Sequence, residues 1–207
     1  MQDIIVAGTD TSAAIVVWAM TELMKHPTMM TKAQEELRTL IQDKTFIDES
    51  DLARLTYLKA IVKETLRLHN AGPLLVVREV IQKCSIQGYD IIPKSLVFVS
   101  TWEIGRDPKF WTDPEVFMPE RFLGSPIDFR GQDFELIPFG AGRRICPGML
   151  LGVANVELAL ANLLYTFSWK LPVGMTEEDI DFDVLPGITM HKKNPLCLVA
   201  NKFSHVN

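Results

Sequence analysis

The sequence predicts an α+β fold that is mainly helical, and three observations carry that expectation. Residues 3–68 are dominated by apolar side chains at helical spacing. From about Gly72 to Ser100 the pattern changes to short apolar runs broken by Gly and Pro, the mark of strands joined by turns. A last apolar segment begins at Pro147 and runs to about residue 168, the length of one core helix. The chain has 207 residues, 47% of them hydrophobic and 23% charged, which suffices for one sizeable core and is too short for several domains.

Each element follows from its residues. Residues 3–25 form a mostly apolar helix that ends near Pro27. Residues 28–42 form an amphipathic helix with Met29, Ala33, Leu37 and Leu40 at helical spacing. "DESDL" opens a short helix, and Leu55 to Leu68 a longer one whose apolar face holds Leu55, Leu58, Ile61, Val62, Thr65 and Leu66. "LLVVREV", "CSIQGYDII" and "SLVFVS" read as strands, with "QGYD" as a turn. Residues 105–137 are rich in Pro, Gly and Asp and form a long meander, too long to be idle. Residues 147–168 form one long buried helix. "LPGITMHKKNPLCLVAN" closes the chain as a hairpin turning at "KNP". There are no repeats and no low-complexity segments.

Composition excludes several classes. A net charge of −5 gives no general reason to expect nucleic acid as a partner. Three cysteines, at 84, 146 and 197, contain no CxxC pair, which argues against a disulfide scaffold or a closed zinc site and for a reducing setting. The apolar segments near the start are split by "TDTS", short of the roughly 20 residues of a transmembrane helix. "MQDIIVAGTD" has no basic n-region and does not read as a signal peptide; it enters an apolar run at once, as if begun in mid-element.

Three stretches carry chemistry. In "PFGAGRRICPGMLLG", Gly140, Gly142 and Gly148 permit tight bends and close approach, and Pro147 suits a first helical position. Cys146 then sits at the positive end of the following helix, where the dipole, free N–H groups and Arg143 and Arg144 favour a thiolate. A buried cysteine acting as a small hydrophobe, or a glycine-rich anion site, accounts for the same residues. In "AGTDTSAA", Thr9, Asp10, Thr11 and Ser12 are all good N-caps, so a helix start is the simple expectation; a continuous helix with a polar turn at Asp10 and Thr11 is the other. In "ETLR", Glu64 and Arg67 fall opposite the apolar stripe, as a solvated pair would, unless the "PERF" stretch with Arg121 covers them.

Taken together these stretches resemble the cytochrome P-450 family of haem-thiolate monooxygenases. "FGAGRRICPG" fits the haem-binding pattern FxxGxRxCxG at Phe139, Gly142, Arg144, Cys146 and Gly148; "ETLR" fits ExxR, "PERF" its arginine-bearing companion, and "AGTDTS" the distal-helix motif. "KAQEEL", "YLKAIVKETLRLH" and "IGRDPKFWTDPEVFMPERFL" look most like plant microsomal members. The resemblance implies the long distal helix, ExxR helix, small β-sheets, meander, Cys-loop and proximal core helix of the C-terminal part of that fold. The membrane anchor and early helices would lie outside residues 1–207.

By the same resemblance Cys146 would be the thiolate ligand of haem iron, with Phe139, Gly140, Gly142, Arg144, Gly148 and Arg78 binding the cofactor. Asp10 and Thr11 would deliver protons during dioxygen activation. Glu64, Arg67 and Arg121 would be structural. Ala7, Gly8, Leu74, Leu75, Val76 and Met190 would line the substrate pocket. Asn70 and Val77 stand where plant relatives usually carry prolines, and Glu103 where a small residue is usual; the first two bear on substrate class. The implied reaction inserts one oxygen atom from dioxygen into a small lipophilic metabolite. Its electrons come from NADPH through a reductase, at the cytosolic face of the endoplasmic reticulum for a full-length parent. Thr11 beside Asp10 argues for oxygen activation over the isomerases and dehydratases of the group. The alternatives are a truncated, non-catalytic or misfolded fragment of such an enzyme, and an anion-binding module built on "GAGRR".

Overall fold

The computed structural model describes residues 2–42 and 44–203. Helix α1 (Gln2–Lys25) is continuous through the "GTDTS" turn, so "IIVAG" is helix and not a strand before a cap. Its C-terminal half buries Ile15, Trp18, Ala19, Leu23 and Met24, the 3.6-residue stripe of a core helix. Pro27 occupies the first turn of α2 (Pro27–Leu40), where its missing N–H costs nothing. Met30, Ala33 and Leu37 form the buried face of α2, with Met29 and Leu40 packed at its margins.

Helix α3 (Thr56–Leu68) begins where the α2 side chain of Glu36 accepts hydrogen bonds from the Tyr57 and Leu58 N–H groups and the Thr56 hydroxyl, an anion on otherwise unpaired donors. Nearly all of α3 is buried, its polar face included. After α3, Asn70 closes a turn: its carbonyl accepts from the Gly72 N–H and its amide donates to Thr101.

The strands are shorter than the apolar runs suggested. Only Arg78–Glu79 of "LLVVREV" forms a strand, β1. Leu74–Val77 does not, because Leu75 has φ 50° and the Pro73 carbonyl accepts from the N–H groups of Thr101 and Trp102, which curls the segment. Strands β2 (Cys84–Ile86) and β3 (Tyr89–Ile91) join through Gln87 and Gly88, both at positive φ as a tight hairpin turn requires. Strand β4 (Leu96–Val97) pairs antiparallel with β1. A one-turn helix, α4 (Thr101–Ile104), leads into the meander, which buries Trp111, Phe117, Phe122, Phe129 and Leu136.

Helix α5 (Met149–Thr166) packs against α1, α2 and α3 through Val153, Val156, Leu160 and Leu164. By length and apolar composition alone it is able to span a membrane, but that face belongs to the core. The closing hairpin differs from expectation. Strand β6 (Val184–Leu185) pairs with β7 (His191–Lys192) across residues 186–190, whereas β8 (Val199–Lys202) pairs with β5 (Phe167–Lys170). Residues 194–196 therefore connect two sheets instead of turning one hairpin, because α5 delivers β5 as the partner that β8 needs.

A buried polar knot ties α1 to the end of α3. Glu22 Oε1 lies 2.6 Å from His69 Nε2, and Glu22 Oε2 lies 3.4 Å from His26 Nδ1. The His69 ring stacks on Trp18 at 4.6 Å. Burial works to raise the Glu22 carboxyl, but hydrogen bonds from His26 and His69 more than offset it and leave it below its ordinary 4.5. The bond to Glu22, opposed by partial burial, raises His26 above 6.5. Stability from a raised histidine is complete below 6.5 and is lost as pH rises through its folded-state value. Stability from a lowered carboxylate is present above 4.5 and is lost as pH falls through its folded-state value. The melting temperature of wild type should therefore exceed that of His26→Gln most at about pH 5.5, with the gap closing by about pH 8.5. A gap that widens with pH would refute the assignment.

Candidate functional site

The meander is fastened to α3 by one carboxylate and two guanidinium groups. Arg67 donates to both Glu64 oxygens, at 2.7 and 2.8 Å, and both side chains are fully buried. Arg67 Nη1 also donates to the carbonyls of Gly105, at 2.5 Å, and Pro114, at 2.7 Å, and Nη2 to that of Val116, at 3.1 Å. Arg121 Nε donates to Glu64 Oε1 at 3.0 Å, and the Met118 N–H to the same oxygen at 2.7 Å. The face opposite the apolar stripe is thus covered by meander backbone, which supplies the carbonyls that a planar, five-donor guanidinium matches. Gly105 went unnoticed in the sequence: a Cβ there would collide with the Arg67 carbonyl oxygen.

Beyond the meander the chain enters the cysteine loop. Gly140 and Gly142 have φ of 73° and 69°, which side chains with a Cβ rarely adopt. The Cys146 N–H donates to the Phe139 carbonyl at 2.9 Å, and the Phe139 ring packs edge-on against Phe129 at 5.7 Å, so the loop hangs from the core by Phe139. Gly142–Arg144 makes a 3-10 turn, and α5 starts just after Gly148. Cys146 is exposed and unpaired, as are Cys84 and Cys197; it differs from them in lying inside this bend at a helix start.

Of the other sequence-derived residues, Leu75 reaches this loop, Ala7, Gly8, Asp10 and Thr11 lie on α1, and Met190 lies just before β7. The Leu75 Cδ1 lies 3.6 Å from where a Gly140 Cβ would be. Leu74 and Val76 are exposed, Val76 at 81%. Ala7 and Gly8 lie on the exposed face of α1. Met190 is buried, its N–H donating to the Ala71 carbonyl and its own carbonyl accepting from Trp18 Nε1. Asp10 and Thr11 are not bonded to each other: Thr11 Oγ1 donates to the Ala7 carbonyl at 2.6 Å, and Asp10 faces His191. The side chains of Arg78 and Arg144 are exposed, with no hydrogen bond or ion pair among the described residues.

The donor set indicates what this surface can hold. Among the described residues no group of three or more His, Cys, Asp or Glu side chains is placed to hold a metal ion, so an ion bound at Cys146 must bring its other ligands with it. A Cβ on Gly8 or on Gly142 would meet no described atom within 4 Å, as expected of two exposed glycines. One exposed thiol, with exposed Arg78 and Arg144 that no described residue engages, is compatible with an anion-bearing cofactor that brings its own further metal ligands. A haem has that chemistry.

A sequence profile of the cytochrome P-450 family matches residues 1–199. A cytochrome P-450 of Persea americana, 71A1, is 54% identical over 200 residues, covering 97% of this chain and 40% of that protein. Cytochrome P-450 71D2 of Catharanthus roseus is 58% identical over 199 residues, 96% of this chain and 39% of that protein. Strychnine-11-hydroxylase of Strychnos nux-vomica is 54% identical over 198 residues, again 96% and 39%. A solved zebra fish cytochrome P-450 with abiraterone superposes with a TM-score of 0.87 at 27% identity, covering 99% of this chain and 46% of that one. The chain thus spans about two-fifths of the length of the curated relatives it matches.

Proposed function

The chain belongs to the cytochrome P-450 family, and from that membership we propose that residues 1–207 are the C-terminal portion of a single haem-thiolate monooxygenase domain. The reaction is RH + O2 + NADPH + H+ → ROH + H2O + NADP+, with R a small lipophilic skeleton of the secondary-metabolite kind. The name of the Strychnos relative, strychnine-11-hydroxylase, supports that substrate class. Electrons reach the site from NADPH through a partner reductase, and the full-length parent sits at the cytosolic face of the endoplasmic reticulum membrane. The single observation that carries the reading is the exposed Cys146 thiol in a bend where Gly140 and Gly142 take positive φ, just before α5.

When bound, the haem supplies reductive activation of dioxygen, with a cysteine thiolate as its protein donor. The residues of the chain do the rest. Cys146 offers the sulfur, and its N–H bond to the Phe139 carbonyl holds the loop at a fixed depth. Gly140, Gly142 and Gly148, lacking a Cβ, would let the loop backbone lie close to a bound haem. Arg78 and Arg144 offer guanidinium groups to anionic substituents. Ala7, Gly8, Leu74, Leu75 and Val76 present apolar surface that binds substrate and excludes water, whereas Met190, also expected there, is buried. Asp10 holds a proton-relaying carboxylate, and the Thr11 hydroxyl moves a proton at Oγ1 when it leaves the Ala7 carbonyl. Glu64, Arg67 and Arg121 fix the meander beneath the loop.

A carbon monoxide difference spectrum of the reduced, haem-loaded protein tests the ligand assignment: a thiolate-type Soret band is expected, and a histidine-type or absent band overturns it. Thr11→Ala should then raise NADPH consumed per product formed by about tenfold while leaving that band in place. Unchanged coupling would remove Thr11 from proton delivery.

A further inference from the structure

Asp10 turns away from Thr11 and toward the turn between β6 and β7. Its Oδ2 lies 3.2 Å from His191 Nε2, and the Thr189 side chain, which borders the same depression, helps hold the carboxyl below its ordinary value. That turn is held firmly for so short a segment. Its ends are fixed by the Leu185–His191 pairing and by the Lys193 N–H to Asp183 carbonyl bond at 2.8 Å. Met190 is clamped from both sides, by Ala71 at 2.8 Å and by Trp18 at 2.9 Å. In extended backbone successive side chains point to opposite faces. With Met190 buried, His191, the next residue, faces α1 at Asp10, and Thr189 borders the same depression. Asp10, Thr189 and His191 also border an open depression with Leu185 and Ile188, so water reaches the carboxylate from that side.

We propose that His191 and Thr189 are positioning residues for Asp10, holding its carboxylate at the solvent end of a proton route whose inner end is Thr11. His191 donates from Nε2 and Thr189 from its hydroxyl, so the carboxylate is oriented from two directions while its remaining lone pairs stay open to water. The Thr11 hydroxyl, parked on the Ala7 carbonyl, takes up its part of the route on release. The inference rests on Asp10 and Thr11 being the proton-delivery pair, and it adds the two residues that keep the acid in place.

The test uses the haem-loaded holoprotein with its reductase and reads hydrogen peroxide released per NADPH consumed. Asp10→Asn is measured first. His191→Ala and Thr189→Val should each raise peroxide release by about tenfold, the scale of one hydrogen bond to a charged group. Thr189→Ser should restore the wild-type ratio. The double variant D10N/H191A should be no worse than D10N, because His191 acts only through Asp10. Independently of turnover, carbon-13 NMR of the substrate-free protein should show the Asp10 carboxyl titrating at higher pH in His191→Ala. If that variant does not accumulate, Thr189→Val against Thr189→Ser decides alone. Unchanged coupling in D10N overturns the delivery reading itself, and this inference with it. Uncoupling in D10N but not in H191A or T189V, or additive effects in the double variant, overturns the positioning role while the delivery reading stands.

Discussion

Arg67→Ala is expected to abolish the cooperative thermal transition of the protein. The guanidinium makes five hydrogen bonds: two to Glu64, and one each to the carbonyls of Gly105, Pro114 and Val116. Breaking a buried pair by removing one partner costs about 3–5 kcal/mol. Each buried carbonyl left without a donor adds about 1–3 kcal/mol. The sum is comparable with the roughly 5–15 kcal/mol that holds a typical domain together. An isolated buried pair can often be replaced by two hydrophobes without loss. Here that rescue should fail: E64L/R67L would still strand the Gly105 and Pro114 carbonyls. Arg67→Lys should recover little, because an ammonium cannot fork between a carboxylate and three carbonyls. Circular dichroism melts and the haem-loaded fraction are the measurements. A melt within about 3 °C of wild type for Arg67→Ala would contradict the whole account of the meander.

The second large effect is confined to one sulfur atom. Cys146→Ser should eliminate the thiolate-type Soret band of the reduced, carbon monoxide-treated protein while changing stability by less than about 0.5 kcal/mol. Both halves follow from the structure: the thiol is exposed, with no partner among the described residues, and the loop is held by backbone bonds that serine keeps. Cys84→Ser and Cys197→Ser, equally exposed, serve as controls and should leave the band intact. A Cys146→Ser protein with an unaltered band would remove the proposed ligand.

Helical elements were the most legible part of the sequence, because burial on one side writes a 3.6-residue period into the chain. The Ala33 and Leu37 face of α2 and the Leu58, Ile61 and Val62 face of α3 are such cases. Strands were less legible. Leu74 to Val77 has the composition of a strand, but the Pro73 carbonyl is engaged by residues 101 and 102, a contact no local pattern reveals. The partner of β8 was missed for the same reason: β5 is supplied by the far end of α5. At the site, motif residues such as Cys146, Glu64 and Arg67 stood out through glycines, proline and spacing. Periodicity alone placed Glu64 and Arg67 toward solvent, because it cannot see a meander laid across that face. His191 and Thr189 carried no motif, and their placement beside Asp10 comes from a turn far along the chain that no local pattern reveals. The Glu22 and His69 pairing spans two helices and left no trace in either.

Gly105 has a consequence for how this chain can vary over generations. Any replacement brings a Cβ, and the obstacle it meets is the main-chain carbonyl of Arg67, in the last turn of α3. A crowded side chain can be relieved by trimming its neighbour, but a crowded backbone atom offers selection nothing to trim. The entrance to the meander is therefore a point at which drift is halted by geometry, whatever substrate the rest of the molecule comes to accept.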